Sequence, residues 1–481
     1  MNVAFRARTR AFGAAGAALV VLGTTAQSWA AGLYVTDRGV RPMGRGGAFV
    51  AGADDLGSIW YNPAGIREAG NAVLFDATLV NYSADYTRRT QVIDGSGVAR
   101  IYEYPTVSST TPVLPIPTLA ASHHFGSRFT GAIGVYGPNA ALQTFPAEIG
   151  GKPAASRYSL VSLGGSVLAT ISVGGAVKIT DRFTVGANLQ ALVGSFTSRV
   201  YFNANPADRF LGAPEDPNYD TEAQLSAKPI IAPSGNLGLK YQFTDWLRVG
   251  VSGQLPQWIN APATVKTRLP DVALFDNAQQ VGNSGRVKFT LPAILRAGVE
   301  FKQVWDTRRS LAVEVAYVRE FWSMHKNIDV ATTDVTLTGI TGFPSPFYVA
   351  PIKIPRNLKD SNSFRLGGEY MFPLTDSLSM AARAGVSFET SAADPAWVSP
   401  LTIDGNKLIP SLGVGLNIGP KFRVDASFTK AFMFGVDVDP AEAQVPRINP
   451  VAGNPVATEP INGGSYRTSA NLFGLGVNYK Y

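Results

Sequence analysis

The C-terminal segment, residues 471–481, reads NLFGLGVNYKY and carries a large apolar or aromatic side chain at every second position: Phe473, Leu475, Val477, Tyr479 and Tyr481. Successive side chains of a β-strand point to opposite faces, so this spacing places the whole set on one face of a strand. At the edge of a soluble sheet, an apolar stripe that ends at a free terminus would be an aggregation hazard. The segment therefore argues against a soluble edge strand.

The same period of two recurs inside the chain. Apolar residues occupy one parity, and small or polar residues the other, in residues 183–193, 295–301 and 412–418. This alternation predicts an all-β fold, but a soluble sandwich of sheets would show the same period. The connections must decide between the two.

Short polar turns alternate with long loops along the chain. The turns lie at residues 126–128, 180–182, 244–246, 303–310, 375–377 and 419–421. The loops, rich in Pro, Asn, Asp and Gly, span residues 87–115, 138–166, 203–221, 256–285, 327–361, 390–407 and 435–465. Six turns and seven loops make thirteen connections, and so fourteen strands. Short turns on one rim and long loops on the other are typical of an antiparallel transmembrane β-barrel.

Aromatic residues collect near the short turns. An aromatic girdle at a membrane–water interface would have this arrangement, although ordinary packing at hairpin ends would also produce it. The residues are Phe125, Phe129, Phe183, Phe243, Trp246, Trp305, Phe372, Phe422 and Tyr481.

Residues 1–30 have the pattern of a signal peptide. A basic start is followed by the apolar stretch 11–22 and by Ser28-Trp29-Ala30, which predicts cleavage after Ala30. The alternative, an N-terminal membrane anchor, requires ~20 apolar residues, about twice the length of this stretch. We therefore expect an exported chain that re-enters a membrane only as a closed sheet.

The amino-acid composition excludes several kinds of functional site. The chain has 481 residues and no Cys, which excludes a disulfide scaffold, a thiolate metal site and a cysteine nucleophile. The net charge of +7 includes three arginines of the signal peptide, so it is weak support for nucleic-acid binding, which we do not expect. The histidines, His123, His124 and His325, form no metal or catalytic motif, and we expect neither a metal site nor a cofactor.

Residues 31–70 differ from the rest of the chain. They read AGLYVTDRGVRPMGRGGAFVAGADDLGSIWYNPAGIREAG, without strand alternation. Glycines permit close backbone approach, residues 48–53 suit a short helix or turn, and Asn62-Pro63 suits a turn. Its most specific residues are Gly44, Arg45, Gly46, Gly47, Asp54, Asp55, Asn62, Pro63, Ala64 and Gly65.

This segment resembles the N-terminal hatch of the outer-membrane transporters of long-chain fatty acids and aromatic hydrocarbons, the FadL/TodX type. The resemblance implies a fourteen-stranded barrel, residues 71–481, plugged by a small hatch, residues 31–70. It implies a monomer in the outer membrane of a Gram-negative cell, among its lipids and lipopolysaccharide. The C-terminal aromatic pattern likewise resembles the signal read by the outer-membrane assembly machinery.

The implied function is passive uptake of hydrophobic compounds, by capture in apolar loops, an apolar site in the lumen and lateral exit through the barrel wall. The family's wall opening comes from a kink in the third strand, which here contains Gly134, Gly137 and Pro138; a strand that simply ends at Pro138 is the alternative. The resemblance also places Leu33 near the ligand. The loop residues suited to capture, unless they only pack on one another, are Phe343, Pro344, Phe347, Tyr348, Val349, Trp397 and Val398.

Two other functions remain open at this stage. A porin for small polar solutes would line a constriction with charged side chains and would have no N-terminal plug. An outer-membrane enzyme would depend on the three histidines, although His123 and His124, as neighbours on a strand, should point to opposite faces. The sequence does not identify the transported compound.

Overall fold

The computed structural model describes residues 37–93, 96–113, 115–137, 142–206, 215–449, 451, 454–456 and 460–481. The predicted signal peptide, Leu33 and Pro138 lie outside these residues. Among the described residues, no helix is both long and apolar enough to cross a membrane.

One antiparallel sheet of fourteen strands closes into a barrel, which confirms the predicted fold class and strand number. Each strand pairs with the next along the chain, and the last returns to the first, with Lys480 opposite Ala72 and Gly464 opposite Arg88. The strands are β1 (Ala72–Ile93), β2 (Pro115–Phe125), β3 (Phe129–Tyr136), β4 (Val167–Lys178), β5 (Phe183–Asn203), β6 (Asp220–Gln242), β7 (Leu247–Gln254 and Gln257–Arg268), β8 (Ser284–Leu291 and Ile294–Asp306), β9 (Arg309–Glu320 and Asn327–Thr332), β10 (Ile352–Pro355 and Ser361–Pro373), β11 (Leu378–Glu389), β12 (Lys407–Ile418), β13 (Phe422–Met433) and β14 (Gly464–Lys480).

The six predicted turns join successive strand pairs at one rim, but several predicted loops are too long. The loop expected over residues 256–285 contains the upper segment of β7, which continues after a break at Pro256. Likewise β1 runs on to Ile93. These upper strand segments contain prolines and polar residues, so in sequence they resemble loops. They form strands because they pair with neighbouring strands in the closed barrel, and strand propensity depends strongly on such context.

The loops at the other rim contain short strands and 3₁₀ helices. The strands are Ala99–Glu103, Val107–Ser108, Glu148–Ile149, Lys152–Pro153, Gln279–Val281, Thr336–Thr338, Phe347–Tyr348, Val436–Val438, Arg447–Asn449 and Asn454–Val456. The 3₁₀ helices are Ala155–Tyr158, Pro217–Tyr219, Trp322–Met324 and Pro395–Trp397.

The apolar parity of the strands faces outward. Leu189 is 78% exposed, whereas its neighbours Asn188 and Gln190 are buried inside the barrel. Leu475 of β14 is 66% exposed, and Tyr481, directly after this strand, is 51% exposed. An apolar exterior around a polar lower interior is the reverse of a soluble protein and fits a lipid-facing wall.

Residues 37–70 fold inside the barrel. They form three short helices, α1 (Val40–Gly44), α2 (Ser58–Tyr61) and α3 (Ile66–Ala69), and the 3₁₀ turn Pro63–Gly65. Residues 48–53 form a bend, not a helix. Nearly every residue of this hatch is buried, and it touches strands on all sides of the lumen.

Glycines of the wall make room for the hatch. Gly367 of β10 and Gly385 of β11 lie opposite each other in register, and a Cβ on either would overlap the backbone of Arg45. The pair Gly186 and Gly238, on β5 and β6, receives the Asn62-Pro63 turn in the same way. The glycines at these inward-facing positions of the strands are thus explained by close contact with the backbone of the hatch.

We expect Gly367→Val to prevent the hatch from seating without preventing barrel closure, because the added atoms would occupy the position of the Arg45 carbonyl. The variant should still form a closed barrel, seen as a change in gel mobility on heating. A protease added to the purified protein should then cut within residues 37–70. Gly253→Val is the matched control, since nothing lies within 4 Å of a Cβ at that glycine. Equal protection of both variants would contradict the packing described here.

Candidate functional site: the plugged lumen

Ion pairs attach the hatch to the wall. Arg45, 1% exposed, extends an Nη2 atom to Glu300 of β8 at 2.8 Å and to Glu314 of β9 at 3.6 Å. The Glu314 carboxylate also accepts hydrogen bonds from three successive backbone N–H groups, those of Val50 at 2.6 Å, Ala51 at 3.0 Å and Gly52 at 2.8 Å. This carboxylate supplies acceptors that the bend itself lacks.

The predicted acidic pair of the hatch lies at the centre of a second network. Asp55 binds Arg41 at 3.0 Å and Arg423 of β13 at 2.6 Å. Asp54 lies 3.4 Å from Lys302 and 3.5 Å from Arg248 of the wall. Charges brought together out of water hold their positions well when they are paired, and removal of one partner is costly.

These contacts govern protonation of the hatch. Burial alone would raise the pKa of the Asp54 carboxyl, but Arg41, Lys302 and Arg248 hold that pKa well below its usual value. The pKa of Asp55 is lowered as well, against burial, by Arg41 and Arg423. Because both folded-state pKa values are depressed, the stabilisation is complete above the unfolded value of ~4 and is lost only as the pH falls below it. The hatch should therefore stay seated at neutral and mildly acidic pH.

Asn62 closes the Asn-Pro turn. The side chain is fully buried; its Nδ2 donates to the Val50 and Leu239 carbonyls, both at 3.0 Å, and its Oδ1 accepts from the Ala64 N–H at 3.1 Å. It therefore caps the 3₁₀ turn and binds the hatch to β6 at the same time. Sequence reasoning predicted the turn but not the contact with β6, which is distant in the chain.

Above the hatch the lumen holds a large apolar cluster. Side chains from opposite sides of the barrel, including Tyr82 of β1, Ile259 of β7 and Val330 of β9, join one buried cluster. Loop residues Phe145 and Val398 are part of it. The predicted loop residue Trp397 is only partly buried, and Tyr348 is 75% exposed. The upper lumen thus contains an extended apolar cluster, with buried charges such as Lys407 paired to Glu389 and Asp404 beside it, above the ion pairs of the hatch.

An almost wholly apolar cavity of about 50 Å³ lies near the loop rim. Of the predicted loop residues, Val349 lines it, while Phe343 and Phe347 pack in the adjoining cluster. Other lining residues include Phe202, Val265, Phe275, Val330, Leu337 and Ile352.

Within the described residues, the strand ladder of the wall is interrupted above β3. This strand ends at Tyr136, opposite Thr118 of β2 and Thr170 of β4. Beyond it, among the described residues, residues 115–117 of β2 have ladder partners only on β1, apart from one hydrogen bond between Gly137 and Pro117. Residues 167–169 of β4 have ladder partners only on β5. Higher up, isolated bridges from Thr110 through Thr144 and Ser162 to Arg199 join the two sides again. We call this interruption in the described part of the wall the window; residues 138–141, which follow β3 in the chain, lie outside the described residues.

Two positions of β2 that border this window have no backbone N–H group to leave unpaired. The Gly137 N–H donates to the Pro117 carbonyl at 2.7 Å, which shows that the N and O atoms of Pro117 face β3. Alternate residues of a strand face the same side, so Pro115 faces the window as well. Because proline has no N–H, the β2 edge leaves no donor unpaired there. Sequence analysis missed these prolines, although a proline pair two residues apart signals an edge.

The histidines do not come together. His123 stacks on the ring of Tyr481, with centroids 6.1 Å apart, and His124 points the other way and bonds Thr130 at 2.6 Å. His325 lies between the two segments of β9 and bonds the Thr290 carbonyl at 2.7 Å. No group of three or more His, Asp or Glu residues suited to a metal ion occurs in the described part of the chain.

Comparisons with known proteins decide the family. The model of the outer membrane protein transport protein family (OMPP1/FadL/TodX) matches residues 21–481. The chain belongs to this family. It is a family of outer-membrane transport proteins, not of enzymes, and the location of the chain is accordingly the outer membrane.

Individual relatives are distant. The chain is 25% identical over 276 residues to the 47 kDa outer membrane protein of Pasteurella multocida, a match that covers 55% of this chain and 56% of that protein. Among solved structures, a Pseudomonas aeruginosa FadL homologue has a TM-score of 0.68 at 17% identity, covering 94% of this chain and 100% of that one. The Ralstonia pickettii toluene transporter TbuX has a TM-score of 0.57 at 17% identity, covering 92% and 98%. The structural likenesses show the fold.

We expect Asn62→Ala to loosen the FadL/TodX-type hatch. The substitution removes the bond to the Leu239 carbonyl and the bonds that Asn62 makes to the buried Val50 carbonyl and Ala64 N–H, at a cost of roughly 1–3 kcal/mol for each buried group left unsatisfied. Leakage of small polar solutes through the protein in planar bilayers should rise. Asn218→Ala, at an exposed asparagine, is the control. Unchanged leakage through the Asn62 variant would contradict the assigned role.

Proposed function

We propose that this chain is a passive channel for hydrophobic compounds, which are captured at the loops, held in the apolar upper lumen and released sideways through the wall. The apolar cluster above a charged, ion-paired plug is the observation that carries the proposal. Burial of each CH₂ is worth about 0.8 kcal/mol, so such a lumen can bind a long chain with few polar contacts.

The porin alternative is not favoured. A polar pore depends on free charged side chains around an open constriction. Here Glu300, Arg383 and Asp425 of the wall are buried and engaged in ion pairs at the level of the hatch. A polar solute would have to break these pairs to pass.

The apolar cavity near the loop rim is the proposed site of capture. At about 50 Å³ it is far smaller than the ~300 Å³ of an ordinary ligand pocket, so entry of a long chain requires the loops to part. We assign the capture role to Val349 and the other apolar residues that line the cavity.

The window above β3 is the proposed lateral exit. A small cavity of about 10 Å³ lies on its inner side, lined by residues 37–39 and Met43 of the hatch and by Ile116 and Thr118 of β2. The described hatch thus begins beside the window, and we propose that the preceding residues, Leu33 included, respond to ligand. We propose that β3 ends before Gly137, which is the alternative to a kink.

We expect Ile116→Trp to reduce uptake of a labelled long-chain fatty acid several-fold in cells that lack other such transporters, because the indole would fill the inner side of the window. Leu119→Trp is the control, since Leu119 lies on the same strand but faces lipid, 43% exposed. Equal uptake by both variants would refute lateral exit. Uptake of a sugar, but not of the fatty acid, by the wild type would refute the function itself.

A buried arginine favours cargo with an anionic head group. Arg356 lies between the two segments of β10 and is 4% exposed, and its Nε and Nη2 atoms have no acceptor in the part of the chain that the structure describes. Nearby, the Nε2 atom of His325 also has no hydrogen-bond partner among the described residues, while its Nδ1 bonds the Thr290 carbonyl. A buried cation without an anion is costly, and a ligand carboxylate would relieve that cost.

We expect Arg356→Gln to weaken binding of a long-chain fatty acid by roughly tenfold or more, the loss of one charge-assisted hydrogen bond. Its binding of the methyl ester of the same acid should change little. Arg356→Lys should retain most of the preference for the acid. Calorimetry with the purified protein would measure both ligands; an equal loss for acid and ester would exclude a carboxylate site.

A further inference from the structure

Cations line the outer surface of the wall just beyond its apolar band. On β7 the last large outward apolar side chain is Trp258, 57% exposed, which lies opposite Thr290 of β8. Two residues farther from the turn rim, Asn260 lies opposite Lys288. On β6, Lys228 lies three residues before the outward Ile231, on its loop-rim side, and Ile231 is 67% exposed.

Register places several of these cations on one face. Lys288 of β8 lies opposite Asp329 of β9, which lies opposite Lys353 of β10. Residues directly opposite each other in antiparallel strands point to the same face. The intervening Val287 and Val330 are buried in the lumen cluster, so the Lys288 row points outward. We call Lys228, Arg286, Lys288 and Lys353 the outer basic patch; all four are exposed.

Spacing within the patch suits more than one anion. Arg286 and Lys288 are alternate residues of one strand, roughly 7 Å apart, and Lys288 and Lys353 are two strands apart, roughly 10 Å. Asp329 lies between Lys288 and Lys353 and neutralises only part of their charge.

The patch differs from three exposed, paired cations of the upper wall. Arg89 is paired with Glu103 at 2.7 Å, Arg268 with Glu222 at 2.8 Å and Arg467 with Asp437 at 2.9 Å. Within the described residues, no ion pair involves a member of the outer basic patch, and Arg286 bonds only Asn260, at 3.1 Å to its Oδ1. The donors of the patch are therefore available to an external anion.

We propose that the outer basic patch binds the phosphate groups of the phosphorylated glycolipid of the outer leaflet, the lipid A part of lipopolysaccharide. Its place just beyond the outward apolar side chains is where lipid phosphates lie, and long basic side chains reach such phosphates from a neighbouring apolar surface. Arginine and lysine are the side chains that bind phosphate in this way. The inference rests on the membrane location of the chain and not on its proposed transport function.

The patch lies on the same strand segments as the loop-rim cavity. Ile352 and Val330 face the cavity, while their neighbours Lys353 and Asp329 face outward. A glycolipid held outside would therefore brace the segments that line the cavity inside.

Binding of lipid A to the purified protein in detergent, measured by native mass spectrometry, tests the proposal. The wild type should bind diphosphorylated lipid A at least several-fold better than fully dephosphorylated lipid A, and less well as salt is raised. The combined variant Lys228→Gln, Arg286→Gln, Lys288→Gln and Lys353→Gln should lose that preference. The matched control, with Arg89→Gln, Arg268→Gln and Arg467→Gln, removes paired cations of the same region and should keep it.

Three results would overturn the proposal. The wild type could bind both lipids equally, the patch variant could behave like the control, or millimolar inorganic phosphate could displace the lipid, which would indicate a general anion site. An intact heat-modifiable barrel in each variant shows that folding is not at fault. No transport assay enters the test, so its failure would leave the proposed uptake function untouched.

Discussion

Closure of the sheet is the constraint on which the rest of the structure depends. Lipid offers no hydrogen-bonding partner, so the backbone of a membrane-spanning strand must be paired on both sides. The β1–β14 ladder meets this demand by joining the two ends of the described barrel along nearly the full length of β14. A closed wall has few places where a strand edge can be exposed. The edge beside the window above β3 carries Pro115 and Pro117, whose missing N–H groups make exposure inexpensive.

Closure also creates an interior that must be filled. The hatch fills it at the lower level with two kinds of contact: glycines that admit its backbone, and buried charges that hold its polar groups. Buried ion pairs are weak evidence for stability, since apolar packing of the same volume is often as stable. Their effect here is positional. Glu314 fits only a bend that directs three successive N–H groups toward it, so the pairing selects one seating of the hatch.

Particular residues show what the sequence could predict. The outward parity of residues 183–193 and 471–481 and the short turns were predictable, because strand period and turn chemistry are local. So was the barrel class, while the hatch was expected only through its resemblance to a known family. The partners of Asp54 and Asn62 were not, since Arg248, Lys302 and Leu239 are brought to them only by the closed wall. Arg356 gives no signal in sequence either; its interest comes from burial without an acceptor.

The two levels of the lumen explain how a plugged barrel could still transport. The proposed exit begins beside Ile116 and Thr118, next to the start of the described hatch and not beneath it. A hydrophobic compound moving from the loops to the window would leave the Arg45–Glu300 and Asp55–Arg423 pairs intact. A polar solute gains no free energy by moving from water into the apolar cluster, and its path through the barrel is blocked by those ion pairs. Breaking one buried pair costs about 3–5 kcal/mol, so the same plug that blocks polar leakage need not move for hydrophobic uptake.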